Sequence, residues 1–153
     1  MRCWSITQLP SMVFFACMKI VLLSCVKSKL THRTRAADLY TSPLFKGSVK
    51  YARSLKPDQI FILSAKYGLL DLDQVVEPYE ETLNGKPVAV LRAWAEGVAR
   101  QLAGKTDLAN DTFVFLAGNA YRKYLIPYMS SYEVPLEGKT MGQQLSFYAN
   151  LGS

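Results

Sequence analysis

The sequence predicts an α/β fold of three layers, α/β/α, with a small mainly parallel sheet of three to four strands flanked by helices. Three observations predict it. Lys19 to Ser24, Gln59 to Ser64 and Thr112 to Ala117 are short runs rich in branched and aromatic residues. They are nearly continuous in apolar character rather than alternating, as strands covered on both faces are. Helical patterns lie between them, and such an alternation of strand and helix implies parallel pairing through crossovers.

A chain of 153 residues, 50% hydrophobic and 20% charged, suits one packed domain. Residues 1–17 read as a non-native or disordered extension. Pro10 and the apolar run Met12 to Cys17 precede Met18-Lys19, where the first strand and the domain, 18–153, are expected to begin. Lys19 interrupts the run and no clear small-x-small site follows, which argues against a signal peptide. The stretch from Met12 to Cys25 is too short for a membrane-spanning helix, so no membrane partner is expected.

After the first strand, Ser42-Pro43 supplies an N-cap and a first-turn proline. Phe45, Val49, Ala52 and Leu55 then share one helical face until Lys56-Pro57-Asp58. A second helix follows Asn84-Gly85 and Pro87, with Leu91, Trp94, Val98 and Leu102 inward. A third is expected from about Asn119 to Pro127, with Tyr121, Tyr124 and Leu125 as its apolar side. Tyr132 to Leu136 reads as a short edge strand, because Pro135 suits only an edge. Thr140 and Gln143 match a capping box that opens a last helix, with Leu145 and Tyr148 facing the core. The stretch from Tyr67 to Thr82 reads as a long ordered loop, and such loops tend to be functional.

Charge is unevenly placed. From Lys19 to Arg53 eight Lys or Arg face the single acid Asp38, whereas from Ser54 onward nine bases meet eleven acids. A basic front on a near-neutral body points to an anionic partner, nucleic acid or a phosphorylated nucleotide, unless it is only a solvated face. Cys3, Cys17 and Cys25 form no CxxC pair, so neither a disulfide framework nor a zinc ribbon is indicated. A reducing cytoplasm is the expected location. With His32 as the single histidine, multi-histidine metal sites are excluded; no metal and no cofactor is expected.

Loops that follow parallel strands gather at one edge, where open α/β sheets bind ligands. Here they are Ser24-Cys25-Val26-Lys27-Ser28-Lys29, Ser64-Ala65-Lys66-Tyr67-Gly68 and Gly118-Asn119. Lysines and free backbone N–H groups stabilise anions. Lysines near Cys25 lower a thiol's pKa from about 8.5, giving a thiolate able to attack a nitrile, carbonyl or glycosidic carbon. Tyr79 can offer a ring face to a base, and Glu80 or Glu81 can act as general base. Competing readings stay open: Cys25 as a small buried residue, Lys27 and Lys29 as solvated charge, and Gly118 as a tight turn.

The block Leu63-Ser64-Ala65-Lys66-Tyr67-Gly68-Leu69-Leu70, followed by Asp73 and Pro78-Tyr79, resembles the signature of the YaaA family, bacterial proteins of peroxide stress described as DNA-binding. More specifically, the chain resembles a small, largely uncharacterised bacterial and phage relative of that family. That pattern takes in Ser24-Cys25-x-Lys27-x-Lys29, Leu39-Tyr40-x-Ser42-x-Leu44-Phe45, Leu116-Ala117-Gly118-x-x-Tyr121, Pro135-Leu136-x-Gly138 and Gly142-x-x-Leu145. YaaA-like domains also occur in systems that make 7-deazaguanine bases, and Cys25 to Lys29 resembles a motif of the archaeosine synthase domain. The proline-tyrosine and terminal histidine of that motif are absent here.

Residue chemistry and resemblance together nominate Cys25, Lys29 and Glu80 as catalytic. Ser24, Lys27, Tyr40, Ser42, Ser64, Lys66, Tyr67, Gly68, Tyr79, Gly118, Asn119 and Tyr121 are the nominated substrate-binding residues. The expected function is an enzyme acting on a nucleobase or nucleotide, with 7-deazaguanine-type modification of nucleic acid as its specific form. The alternatives are a non-catalytic DNA- or RNA-binding protein of stress response and a small-molecule sensor or interaction domain.

Overall fold

In the computed structural model, which describes residues 17–24 and 31–151, the three apolar runs form the middle of a five-stranded sheet. They are β1 (Lys19–Ser24), β3 (Gln59–Ser64) and β6 (Thr112–Leu116). The order is β4-β3-β1-β6-β7, where β4 is Gly68–Asp71 and β7 is Ser131–Glu133. All neighbours are parallel except β3 and β4. A separate antiparallel ribbon joins β2 (Thr34–Arg35) to β5 (Val75–Val76).

Strand residues alternate between two cores, as pleating requires. Ile20, Leu22, Phe61, Leu63, Phe113 and Phe115 pack with α3 (Val88–Ala103) and with Tyr121 of the short α4 (Asn119–Arg122). Val21, Leu23, Ile62, Val114 and Leu116 pack on the other face. There they meet α1 (Ala36–Leu39), α2 (Pro43–Ser54) and α5 (Met141–Ala149). The α/β/α layering therefore follows from central strands that bury both faces.

Local signals explain the helix ends. Ser42 Oγ accepts from the Phe45 N–H at 3.1 Å, with Pro43 in the first turn of α2. Thr140 and Gln143 form the reciprocal capping box of α5. Gly47 lets α5 approach α2, since a Cβ there would lie 2.6 Å from the Tyr148 Cβ. Burial, and then the neighbouring Tyr51, push the Tyr148 phenol up to about 12.

The sheet has five strands rather than three to four, and its edge strand β7 ends at Glu133, before Pro135, rather than running from Tyr132 to Leu136. Three further features differ from expectation. The YGLL stretch is not loop: a three-residue turn after Ser64 leads into Gly68 at φ +79°, and β4 runs back along β3. A left-handed residue closing a three-residue hairpin loop is a recurrent arrangement. The third helix stops after Arg122, and the chain reaches a 3₁₀ turn at Ile126–Tyr128. Pro127 offers no N–H and would crowd the Lys123 carbonyl in a continuing helix. Leu145 is exposed, because α5 packs through Phe147 and Tyr148 instead. The proposed extension lies, except for Cys17, outside the described residues.

Candidate functional site at the carboxyl edge

β1 is central, and the chain crosses from it to opposite sides in turn. The β1-to-β3 connection carries α2 on one face, and the connection to β6 carries α3 on the other. β1 and β6 therefore flank a topological switch point, the place in open α/β sheets where ligands bind beyond the carboxyl ends of the strands. Ser24 aligns with Leu63, and Leu23 with Leu116, so Ser24, Ser64 and Ala117-Gly118 lie side by side along this edge. Cys25, Lys27 and Lys29 follow Ser24 in sequence but lie outside the described residues.

Several nominated residues build the edge. Ser64 is fully buried, and its Oγ accepts from the backbone N–H groups of Lys66 and Tyr67 at 3.2 and 3.0 Å. Its carbonyl accepts from Trp94 Nε1 at 2.9 Å. Ser42 is engaged as a helix cap. Gly68 is required by its positive φ and by space, because a Cβ would fall 2.3 Å from Gln101 Oε1. Gln101 Oε1 accepts from the Leu69 N–H at 3.0 Å.

The tyrosines are mostly structural. Tyr40 and Tyr79 are 0% and 5% exposed and share a hydroxyl–hydroxyl hydrogen bond. Tyr67 meets the Tyr79 ring edge-on at 5.5 Å and reaches the Glu77 carbonyl through its hydroxyl. The expectation that Tyr79 presents a ring face for base stacking is thus corrected: that ring is packed among aromatic neighbours. Tyr121 is also buried; its hydroxyl accepts from the Leu83 N–H at 3.3 Å, and its ring meets Trp94 edge-on.

Other nominated residues remain accessible. Lys66 is exposed, with Nζ 5.3 Å from the centre of the Tyr67 ring. Glu80, Gly118 and Asn119 are exposed too. Gly118 has an ordinary φ of −69°, and a Cβ there would meet nothing within 4 Å. Neither backbone nor packing demands glycine at that point; its bare surface leaves room for close approach. His32 is exposed in the segment preceding β2.

The sequence reading missed Arg122. Its side chain is 16% exposed, and Nη1 donates to the Ala117 carbonyl at 2.8 Å, placing a guanidinium at the end of β6. An arginine one helical turn beyond Gly118 was the available signal. Glu137 Oε2 lies 4.0 Å from its other nitrogen.

A second feature lies beside α2. A groove of about 390 Å³ is lined by Arg35, Asp38, Tyr40, Thr41, Lys46 and Arg53, among others. Arg35 bonds Asp38 at 2.9 Å and Asp73 at 2.8 Å. The Asp38 hydrogen bond, aided by charge attraction to both acids, raises its already high pKa. Among the described residues no group of three or more His, Cys, Asp or Glu could hold a metal, and no helix is long and apolar enough to cross a membrane.

The model of a family of unknown function, DUF6884, matches residues 20–150, and the chain belongs to that family. The match spans β1 through α5 and so takes in the whole sheet and its edge. No curated protein and no solved structure matches the chain.

Proposed function

We propose that this DUF6884 protein is an enzyme acting on a nucleobase or nucleotide at the carboxyl edge of its sheet, in modification of 7-deazaguanine type. The observation that carries the reading is the switch point between β1 and β6, with Ser24 and the bare Gly118 on its two sides. Such switch points are where open α/β sheets take nucleotides. Cys25 is the residue bonded to Ser24, in a segment that also brings Lys27 and Lys29. The likeness to YaaA proteins and to the archaeosine synthase motif supports the same substrate class.

In this reading Cys25 is the nucleophile, and Lys27, Lys66 and Arg122 attract the anionic part of the substrate. Glu80 takes the thiol proton. The sulfur lone pair forms an S–C bond to an electron-poor carbon of the base, and the displaced π pair moves onto its heteroatom. Where that carbon is a nitrile, Lys29 delivers a proton to its nitrogen and a thioimidate results. An amine co-substrate then bonds the same carbon, and the S–C pair returns to sulfur with the amine's proton. Glu80 returns its proton to Lys29, and the amidine-bearing base leaves with the thiol restored.

The test is incubation of wild type and Cys25→Ala with guanine-type bases, nucleotides and DNA. Intact-protein mass spectrometry then seeks an adduct, and nucleoside analysis seeks a changed base. An adduct or product with wild type, and none with a folded Cys25→Ala that still binds nucleotide, is expected. Unchanged product from Cys25→Ala, or no binding of base, nucleotide or DNA by wild type, would overturn the reading.

A further inference from the structure

We infer that the groove between α1 and α2 is a track for the sugar-phosphate backbone of a nucleic acid, so that the substrate base belongs to a polynucleotide. The second clause rests on the function proposed above; the first stands on the groove itself.

α2 carries Lys46, Lys50 and Arg53 and no acidic residue. None of the three has a carboxylate partner among the described residues, whereas Arg33, Arg35, Arg100 and Arg122 all do. Lys46 and Arg53 line the groove, and Arg35 faces them from the α1 side. Asp38 is the acid in that lining, and it is already bonded to Arg35. The groove is therefore cationic in balance, with two positive groups left for an incoming anion.

Shape and spacing narrow the partner. Lys46 and Arg53 are seven residues apart, about 10 Å along a helix, far enough to meet two different phosphates of one strand, whose charges recur at about 3.4 Å of helix axis. Tyr40 and Phe45 line the same groove at 0% and 1% exposure. They leave no ring face on which a base could stack, and no protruding apolar anchor of the kind that dominates protein interfaces. Cations without stacking or anchoring groups suit a phosphodiester chain held without regard to sequence. Tyr40 and Thr41 immediately precede the α2 N-cap, so the track starts at the edge where the base would enter.

The experiment measures fluorescence anisotropy of labelled single- and double-stranded DNA of mixed sequence with the full chain across a salt series. Lys46→Ala/Arg53→Ala should flatten the slope of log affinity against log salt by about 1.8, two contacts at about 0.9 each on duplex. The affinity lost between about 50 and 200 mM salt then shrinks by about tenfold. The charge-preserving Lys46→Arg/Arg53→Lys should keep the wild-type slope, and Asp38→Asn should tighten binding. Absence of DNA binding by wild type at low salt, a wild-type slope in the folded alanine pair, or equal binding of polyglutamate would overturn the track. If the track fails while a mononucleotide still reacts through Cys25, the substrate is a free nucleotide. If the slope changes as expected but Cys25→Ala changes no chemistry, the track stands and the enzyme reading falls.

Discussion

At the amino edge of the sheet, buried Asp111 accepts the backbone N–H groups of Met18 and Asp107 at 2.9 and 2.8 Å. Asp58 holds the start of β1 from the other side, taking the Lys19 N–H at 2.8 Å and returning its own N–H to the Lys19 carbonyl. At the carboxyl edge, by contrast, Lys66, Glu80 and Asn119 stand exposed, and the buried Ser64 beneath them serves the backbone of its own turn. The two aspartates at the first edge are engaged in fixing where strands begin. Polar residues at the second divide into a built foundation and an accessible rim, and the rim is where a ligand can be met without dismantling the fold.

That contrast can be broken by substitution. Asp111→Ala should have the largest effect, about 3 kcal/mol lost in denaturant unfolding, since two backbone donors lose a charged acceptor at about 1.5 kcal/mol each. A loss below 1 kcal/mol, on the order of a single neutral hydrogen bond, would mean that the amino edge is not pinned through this carboxylate. Gly68→Ala tests the foundation of the other edge. Its positive φ and the displaced Gln101 should together cost about 2 kcal/mol, read as a lower thermal midpoint; an unchanged midpoint would remove the hairpin glycine from the argument. Lys66→Ala should be smallest, within about 0.5 kcal/mol of wild type in stability, while nucleotide affinity falls. A large stability loss without an affinity change would return Lys66 to the foundation.

The three central strands, the first two long helices and both caps were legible in the residues themselves. Continuous apolar runs, Ser42-Pro43 and the Thr140/Gln143 box are local signals whose meaning depends little on distant partners. β4 was hidden because Gly68-Leu69-Leu70-Asp71 is too short to show a period, and its strand character comes from pairing with β3. Tyr79 misled for a related reason. A tyrosine in a polar stretch looks accessible, but the hydroxyl of Tyr40, thirty-nine residues earlier, and the edge of Tyr67 enclose it.

For this protein the sequence by itself determined the layer order, the strands at the centre and the edge at which the polar loops collect. These follow from periodicity, burial and chain connectivity. Tertiary structure alone decided which side chains at that edge are building material and which are accessible. It also set Arg122 beside the end of β6 and opened a groove along the cations of α2. The physical reason is that exposure, ion pairing and a crevice between elements are properties of residues distant in the chain, and they come into being only when packing brings those residues together.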